Sequence, residues 1–315
     1  MAQHLICLTI DTDPDGLNTH DPDRRTLTWD GLHFAMQYFH TVLPHIPLTW
    51  YVRADGQLEQ AYGSARYLLD KYADFWRKAI RRGDELGWHP HLYTLDAQPQ
   101  LITDSAQAVA ELARIWHNIQ DTAFNLPTFR MGEAWHTTET LTVLAEMGFT
   151  VDSTAIPQRD DSASGHPRNW SGTPNHPYFP AQHDIRMPAA IDNIAPPTQR
   201  ILEVPMNSWY IQASYDAAPK LRYMNPCIHR DLWQQGLVWW DANLPNHDLH
   251  VWNLILHPTE AMPHEKSDLL YAYSLDVLQE NLAQLLERIE KRGDSATYVT
   301  LSHAAQHWRQ KPYLT

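Results

Sequence analysis

From residue 4 to residue 152 the chain alternates short apolar runs with stretches of helical period, and this alternation constrains its fold more than any other feature. HLICLTID (4–11) is short, carries β-branched residues and is bounded by the turn-rich DTDPDGLN, which predicts a buried strand. Leu32, Met36, Phe39 and Leu43 recur at helical spacing and stop at Pro44, predicting a helix over 29–43. LTWYVR (48–53) predicts a second strand. A helical stretch ending near Arg82, with Gly83 suited to its C-cap, leads into a third, ELGWH (85–89). A helix over 103–120, the strand TFRM (128–131), a helix over 137–147 stopped by Gly148 and the strand FTVD (149–152) continue the pattern. Repeated strand–helix alternation is the signature of an α/β fold with a mainly parallel sheet or barrel.

Beyond residue 152 the alternation is interrupted. Residues 156–200 are rich in Pro, Ser, Asn and His without periodicity, far longer than an ordinary connection, and predict an elaborated loop that lines the site. ILEVPM (201–206) resumes as a strand, 207–248 reads as an irregular Trp-rich insertion, and HVWNLILH (250–257) is the next strand. A helix over 269–292 carries Leu275, Leu278, Leu282, Leu285, Leu286 and Ile289 on one stripe, with Gly293 at its end. TYVTL (297–301) and a short terminal helix follow. No internal repeat and no linker divides the chain, so residues 1–315 are expected to form one domain with insertions at 156–200 and 207–248.

Composition removes several functions. A formal net charge of -13 without a Lys/Arg run argues against nucleic acid or an anionic membrane surface as partner. There is no apolar stretch long enough to span a bilayer, and MAQHLICLTIDTD lacks the pattern of a secretory signal. Cys7 and Cys227 are an isolated pair that reads as reduced thiols, so a cytoplasmic location is expected. Nineteen His suit metal and proton chemistry, and 13 Trp offer faces for sugar rings, although most Trp serve packing.

In a βα barrel the reactive groups gather at the C-terminal ends of the strands. The residues at or just past those ends are Asp11 and Asp13, Arg53, His89 and His91, Arg130, Asp152, Asn207 and His257. Asp11 and Asp13 alternate on an extended segment and can share a side, one binding a cation while the other acts as base; alone, DTDPD fits a solvated loop of Asx turns equally well. His89 and His91 form an H-x-H pair that can reach one ion, and with a neighbouring carboxylate they make a ligand set with positions open for water and substrate. Arg130 and Asp152 could equally be a structural ion pair. His257, ending an apolar strand beside Pro258, suits proton transfer. Arg53, Trp135 and Trp209 are candidate substrate contacts.

These residues resemble the polysaccharide-deacetylase family, also called NodB-like or carbohydrate esterase family four, over essentially the whole chain. LTIDTD (8–13) resembles the family's first motif, which implies Asp11 as general base and Asp13 as metal ligand. GDELGWHPH (83–91) is similar to the second and implies His89 as a ligand; the usual second ligand position is Tyr93, and His91 is its substitute. FRMGEAW (129–135) resembles the third motif through Arg130, with Gly132 where the common form has Pro, and VDSTAIP (151–157) the fourth through Asp152. Both LILH (254–257) and LSH (301–303) fit the fifth. Motif order selects His257, because the long helix and final strand follow it, and leaves His303 as a surface or helix-start residue.

The resemblance implies a distorted (β/α)7-type barrel and a hydrolase that removes an N-acyl group, acetyl or formyl, from an amino sugar or glycoconjugate. It implies a divalent cation, with zinc the expected metal, held by Asp13, His89 and His91. Asp11 takes a proton as water attacks and His257 protonates the leaving amine, while Arg130 orients Asp11 and Asp152 tunes His257. Two other readings stand beside it. One is a related C–N hydrolase acting on a small substrate, such as a nucleotide-linked or lipid-linked sugar or a ureide of the allantoinase type. The other is a degenerate saccharide-binding protein, for which Tyr93 is the reason.

Overall fold

The first apolar run forms β1 (Gln3–Asp11), and its alternation sets the layering of the molecule. Ile6, Leu8 and Ile10 belong to the larger core shared with the helices, while Leu5 and Cys7 belong to a second, smaller core. That smaller core also takes Leu202, Leu249 and Val251 from other strands, Val204 from just past one, and Leu301, Ala304, Ala305 and Trp308 from the terminal helix Leu301–Arg309. Continuing up the same inward column, Thr9 and Asp11 are polar and buried. The inside is therefore apolar where the strands begin and polar where they end.

The computed structural model describes residues 1–17, 27–96, 99–189, 201–264 and 269–310. Around β1 stand β2 (Leu48–Arg53), β3 (Glu85–His89), β4 (Thr128–Phe129), β5 (Val151–Asp152), β6 (Leu202–Glu203), β7 (Leu249–Leu256) and β8 (Ser295–Tyr298). Seven strands lie parallel in the order β6-β5-β4-β3-β2-β1-β7. β7 follows β1 from Gln3↔Leu249 to Ile10↔Leu256. The other edge of β1 is divided, with β8 along Gln3–Ile6 and β2 along Leu8–Asp11.

Among the described residues no ladder joins β6 to β7, so the sheet is a curled, incompletely closed barrel. Amides bridge the gap. Asn253 on β7 donates from its backbone N–H to Asn207 Oδ1 at 2.5 Å and accepts from Asn207 N–H at 3.2 Å. Its side chain donates to Ser153 Oγ, Val204 O and Pro205 O, and its Oδ1 accepts from Thr9 Oγ1 at 3.1 Å. Met224 extends the closure, donating to Asn207 O at 2.7 Å and accepting from Ile255 N–H at 3.1 Å. Asn207, which the strand-end rule placed with the reactive groups, serves closure. The architecture is the distorted parallel barrel with insertions that the sequence implied.

The helices differ from expectation in detail. The stretch before Arg82 is three short helices, Gly56–Tyr62, Tyr67–Lys71 and Ala73–Arg82. Gly83 caps the last in the left-handed region at φ 105°. The helix expected over 269–292 begins only at Leu275, capped by Ser274, whose side chain accepts from Val277 N–H. Residues 207–248 are not irregular. They form an antiparallel hairpin, Ser208–Ile211 with Lys220–Tyr223, and the helix Arg230–Asn243, which buries Leu232, Trp233, Gly236, Leu237 and Trp240. Part of the 156–200 insertion, residues 190–200, lies outside the described residues. Among the described residues no helix is long and apolar enough to cross a membrane.

Because Asn253 satisfies four polar groups in a buried layer, Asn253→Ala should leave several without partners. The expected cost is roughly 2–4 kcal/mol of unfolding free energy, read from urea denaturation. An unchanged midpoint would show that the barrel does not depend on this closure.

Candidate active site and metal centre

Arg130 organises the polar end of the barrel. Its guanidinium is 1% exposed and spends its donors on Asp11 Oδ1 (2.6 Å), Thr9 Oγ1 (2.9 Å), Ser153 O (2.9 Å) and Ser153 Oγ (2.9 Å). It also lies 4.1 Å over the Tyr51 ring, a cation–π contact. Asp11 is thereby held by one oxygen, and its Oδ2 faces His89 Nε2 at 3.9 Å. The backbone carbonyl of the same Arg130 accepts from His89 Nδ1 at 2.8 Å. That bond puts the His89 proton on Nδ1 and leaves Nε2 with a lone pair toward the site.

Asp13, His89 and His91 close around one point. Asp13 Oδ1 is 3.7 Å from His89 Nε2 and 3.1 Å from His91 Nε2, and the two Nε2 atoms are 3.3 Å apart. All three ligand atoms fall within 4.8 Å of one another. Burial raises the Asp13 carboxyl, but the charge of His91 and then His89 outweighs it and holds the group well below the usual carboxylate range. Burial lowers His89, and Asp11 followed by Asp13 reverses this, so it is raised. One carboxylate and two imidazoles suit a divalent cation such as zinc and leave positions open. The site also has room built for His91, since a Cβ on Gly132 would sit 2.7 Å from His91 Nε2. Gly132 and His91 are thus a matched pair.

His257 stands opposite, its Nε2 3.6 Å from Asp13 Oδ2. Its Nδ1 lies 3.2 Å from Glu260 Oε1, and its backbone N–H donates to Glu260 Oε2 at 2.6 Å. Glu260 is held in turn by Asn225 Nδ2 at 2.6 Å and Tyr223 Oη at 3.2 Å. Burial lowers the imidazole, but the Glu260 carboxylate, then Asp11 and Asp13, outweigh it and push the pKa up to about 10. The expectation that Asp152 tunes His257 is corrected, because Glu260 holds that place. Asp152 instead accepts from Ser153 N–H and Thr154 Oγ1 and lies 3.2 Å from His136 Nε2, off hydrogen-bond geometry. Burial and then the neighbouring Asp152 push the Glu203 carboxyl well above the usual carboxylate range, whereas burial of Asp152 is outweighed by His136, which keeps it low.

The residues expected to touch substrate do not line the pocket. Trp209 is fully buried against Trp233, at a ring distance of 5.0 Å, and against Gly236, where any Cβ would collide with the indole. Trp135 is likewise a core residue. Arg53 is buried and committed to Asp55 (2.6 Å), Gln57 and Asp13 (3.5 Å). The pocket, about 170 Å³, has Asp11, Asp13, His89, His91 and His257 at its polar side and Met131, Ala134, Ile156, Met206 and Ile255 as an apolar wall. Arg130, Glu133, Arg168 and Tyr223 complete it. Among Glu133, Arg168, Tyr223 and the Glu260 behind the pocket, only Glu260 carries a sequence signal: His-Pro-Thr-Glu places Pro at the first helical turn and Glu three residues after the cap.

Glu133 and Ala134 both have left-handed backbone, at φ 58° and 47°. For residues with a Cβ this costs on the order of 1 kcal/mol each. The insertion 156–189 holds the turn in place, with Arg168 Nη1 donating to Glu133 O at 3.0 Å and Trp170 Nε1 to Ala134 O at 2.7 Å.

A Mycobacterium smegmatis protein assigned as a polysaccharide deacetylase matches with a TM-score of 0.53 at 18% identity, covering 97% of this chain and 90% of its own. The chain has the polysaccharide-deacetylase fold. The PuuE allantoinase matches with the same TM-score of 0.53 at 12% identity, covering 98% of this chain and 92% of its own. No family model matches the sequence, and no curated protein matches it.

The Glu260 contact can be tested by NMR titration of His257 in metal-free protein. Glu260→Gln is expected to bring the imidazole down from about 10 toward the ordinary range near 6.5. An unmoved midpoint would assign the effect to Asp11 and Asp13.

Proposed function

We propose that the protein is a divalent-metal-dependent hydrolase that removes an N-acyl group, acetyl or formyl, from an amino sugar or glycoconjugate, using one domain that spans the chain. The observation that carries this reading is the meeting of Asp13, His89 and His91 beside Asp11, with His257 across the same pocket. Asp13, His89 and His91 would hold the cation, which we take to be zinc. When bound it supplies Lewis acidity toward the acyl carbonyl and the attacking water.

The chain's own groups divide the proton work. Arg130 occupies Asp11 Oδ1 and leaves Oδ2 to accept a proton from water. His257, protonated at neutral pH, donates to the departing amine from Nε2, and Glu260 on Nδ1 stabilises the charged ring. The apolar wall of Met131, Ala134, Ile156, Met206 and Ile255 suits a short acyl chain and excludes water from it. Arg53 acts on this reading as a charge partner of Asp13 and not as a substrate contact. The two buried free thiols, Cys7 and Cys227, accord with a reducing cytoplasmic setting.

The pocket's size favours a second reading, a C–N hydrolase on a small non-polymeric substrate such as a linked sugar or a ureide. About 170 Å³ is below the roughly 300–1,000 Å³ of clefts that enclose drug-sized ligands. A catalytically degenerate saccharide binder would retain binding without turnover. Acetate or formate release from polymeric and from small N-acyl amino sugars, ring opening of cyclic ureides, and saccharide binding without either reaction separate the three.

Within the hydrolase reading, Asp11→Asn should lower kcat roughly 10²–10⁴-fold while full metal content remains by elemental analysis. His89→Ala should lose metal and turnover together. Full metal occupancy in His89→Ala, or undiminished turnover in Asp11→Asn, would contradict the assignment.

A further inference from the structure

His89 and His91 are supported differently. His89 has its Nδ1 fixed by the Arg130 carbonyl, whereas His91 Nδ1 faces a side chain, Glu133 Oε1, at 3.9 Å. The Glu133 backbone lies in the left-handed region, and Arg168 and Trp170 hold that turn. The Tyr93 hydroxyl donates to the same Oε1, and the Tyr93 ring stacks on His91 at an interplanar angle of 15°. Gly132 leaves the His91 ring its space between them. His166 Nε2 approaches the second Glu133 oxygen at 3.5 Å, so the carboxylate is restrained at both ends.

The geometry points to Glu133, clamped by Tyr93, as the positioning residue for His91. It draws the Nδ1–H of His91 toward its carboxylate and so presents Nε2 to the site. At 3.9 Å the contact is electrostatic and not a hydrogen bond, and it sets a carboxylate behind the ligand imidazole in the arrangement that favours one tautomer and raises the ligand's basicity. Tyr93 thereby contributes to the metal centre without being a ligand. The 156–189 insertion contributes as well, through the two residues that hold the turn. Glu133 is not a catalytic residue on this account, since it acts through His91.

The inference rests on the metal-dependent reading above, and the experiment separates the two. Full-length wild type, Glu133→Gln and Tyr93→Phe are titrated with Co²⁺ and with Zn²⁺. The visible Co²⁺ absorption reports ligand geometry, chelator competition gives the Kd, and metal-free thermal unfolding reports the fold. Glu133→Gln is expected to weaken Zn²⁺ by 10- to 100-fold and to alter the Co²⁺ band, with the metal-free Tm unchanged. Tyr93→Phe, which frees the carboxylate but keeps the stacked ring, should give a smaller change in the same direction, and it carries the test if Glu133→Gln does not fold. A Zn²⁺ Kd within twofold of wild type and superimposable Co²⁺ spectra in both variants would overturn the inference alone. A raised KM with unchanged Kd would also overturn it, assigning Glu133 to substrate. If wild type itself binds neither ion, the metal-dependent reading falls and the inference with it.

Discussion

A buried guanidinium cannot be left unpaired without a cost of several kcal/mol, and the arrangement of this site follows from how Arg130 is paired. Its side chain fixes one oxygen of Asp11, its backbone carbonyl fixes the tautomer of His89, and its Nε and Nη2 reach Ser153 and Thr9 in the layer below. That layer is also where Asn253 closes the gap between β6 and β7. Closure of the barrel and orientation of the reactive groups are therefore one hydrogen-bonded network. Ser153 and Thr9 are partners of both Arg130 and Asn253.

Above this network the two insertions brace opposite sides of the pocket. The 156–189 segment supplies Arg168 and Trp170, which hold the strained Glu133–Ala134 turn against the His91 side. The 207–248 segment supplies Tyr223 and Asn225, which hold Glu260 and through it His257. In each case an imidazole that faces the pocket has a carboxylate toward its Nδ1, at 3.9 Å for His91 and 3.2 Å for His257, and an insertion holds that carboxylate. Such support lets loop segments set geometry that the strands alone would leave loose.

What the sequence made legible follows the same physics. Asp11, Asp13, His89, His91, Arg130 and His257 sit at or within two residues of the ends of apolar runs, so strand period and chain direction were enough to gather them. Asp152 sits equally at a strand end, but its side chain turns to His136 and Glu203, a difference that period cannot express. Residue type alone marks Trp135 and Trp209 as substrate contacts, and an indole offers the same apolar face to a core as to a sugar. The helix Arg230–Asn243 was hidden because Val238 and Trp239 fall off its buried stripe, and Val238 is 59% exposed. Glu133 could not be found by pattern, since its position depends on a left-handed turn stabilised by residues more than thirty positions away.

The central claim is that Asp13, His89 and His91, with His91 in place of a residue at position 93, hold one divalent cation. The most direct measurement is an anomalous difference map from crystals grown with zinc, collected on both sides of the zinc edge. The account requires a single edge-dependent peak at about 2.0–2.2 Å from an Asp13 carboxylate oxygen, His89 Nε2 and His91 Nε2. No peak there, or a peak that leaves His91 outside coordination distance, would contradict it.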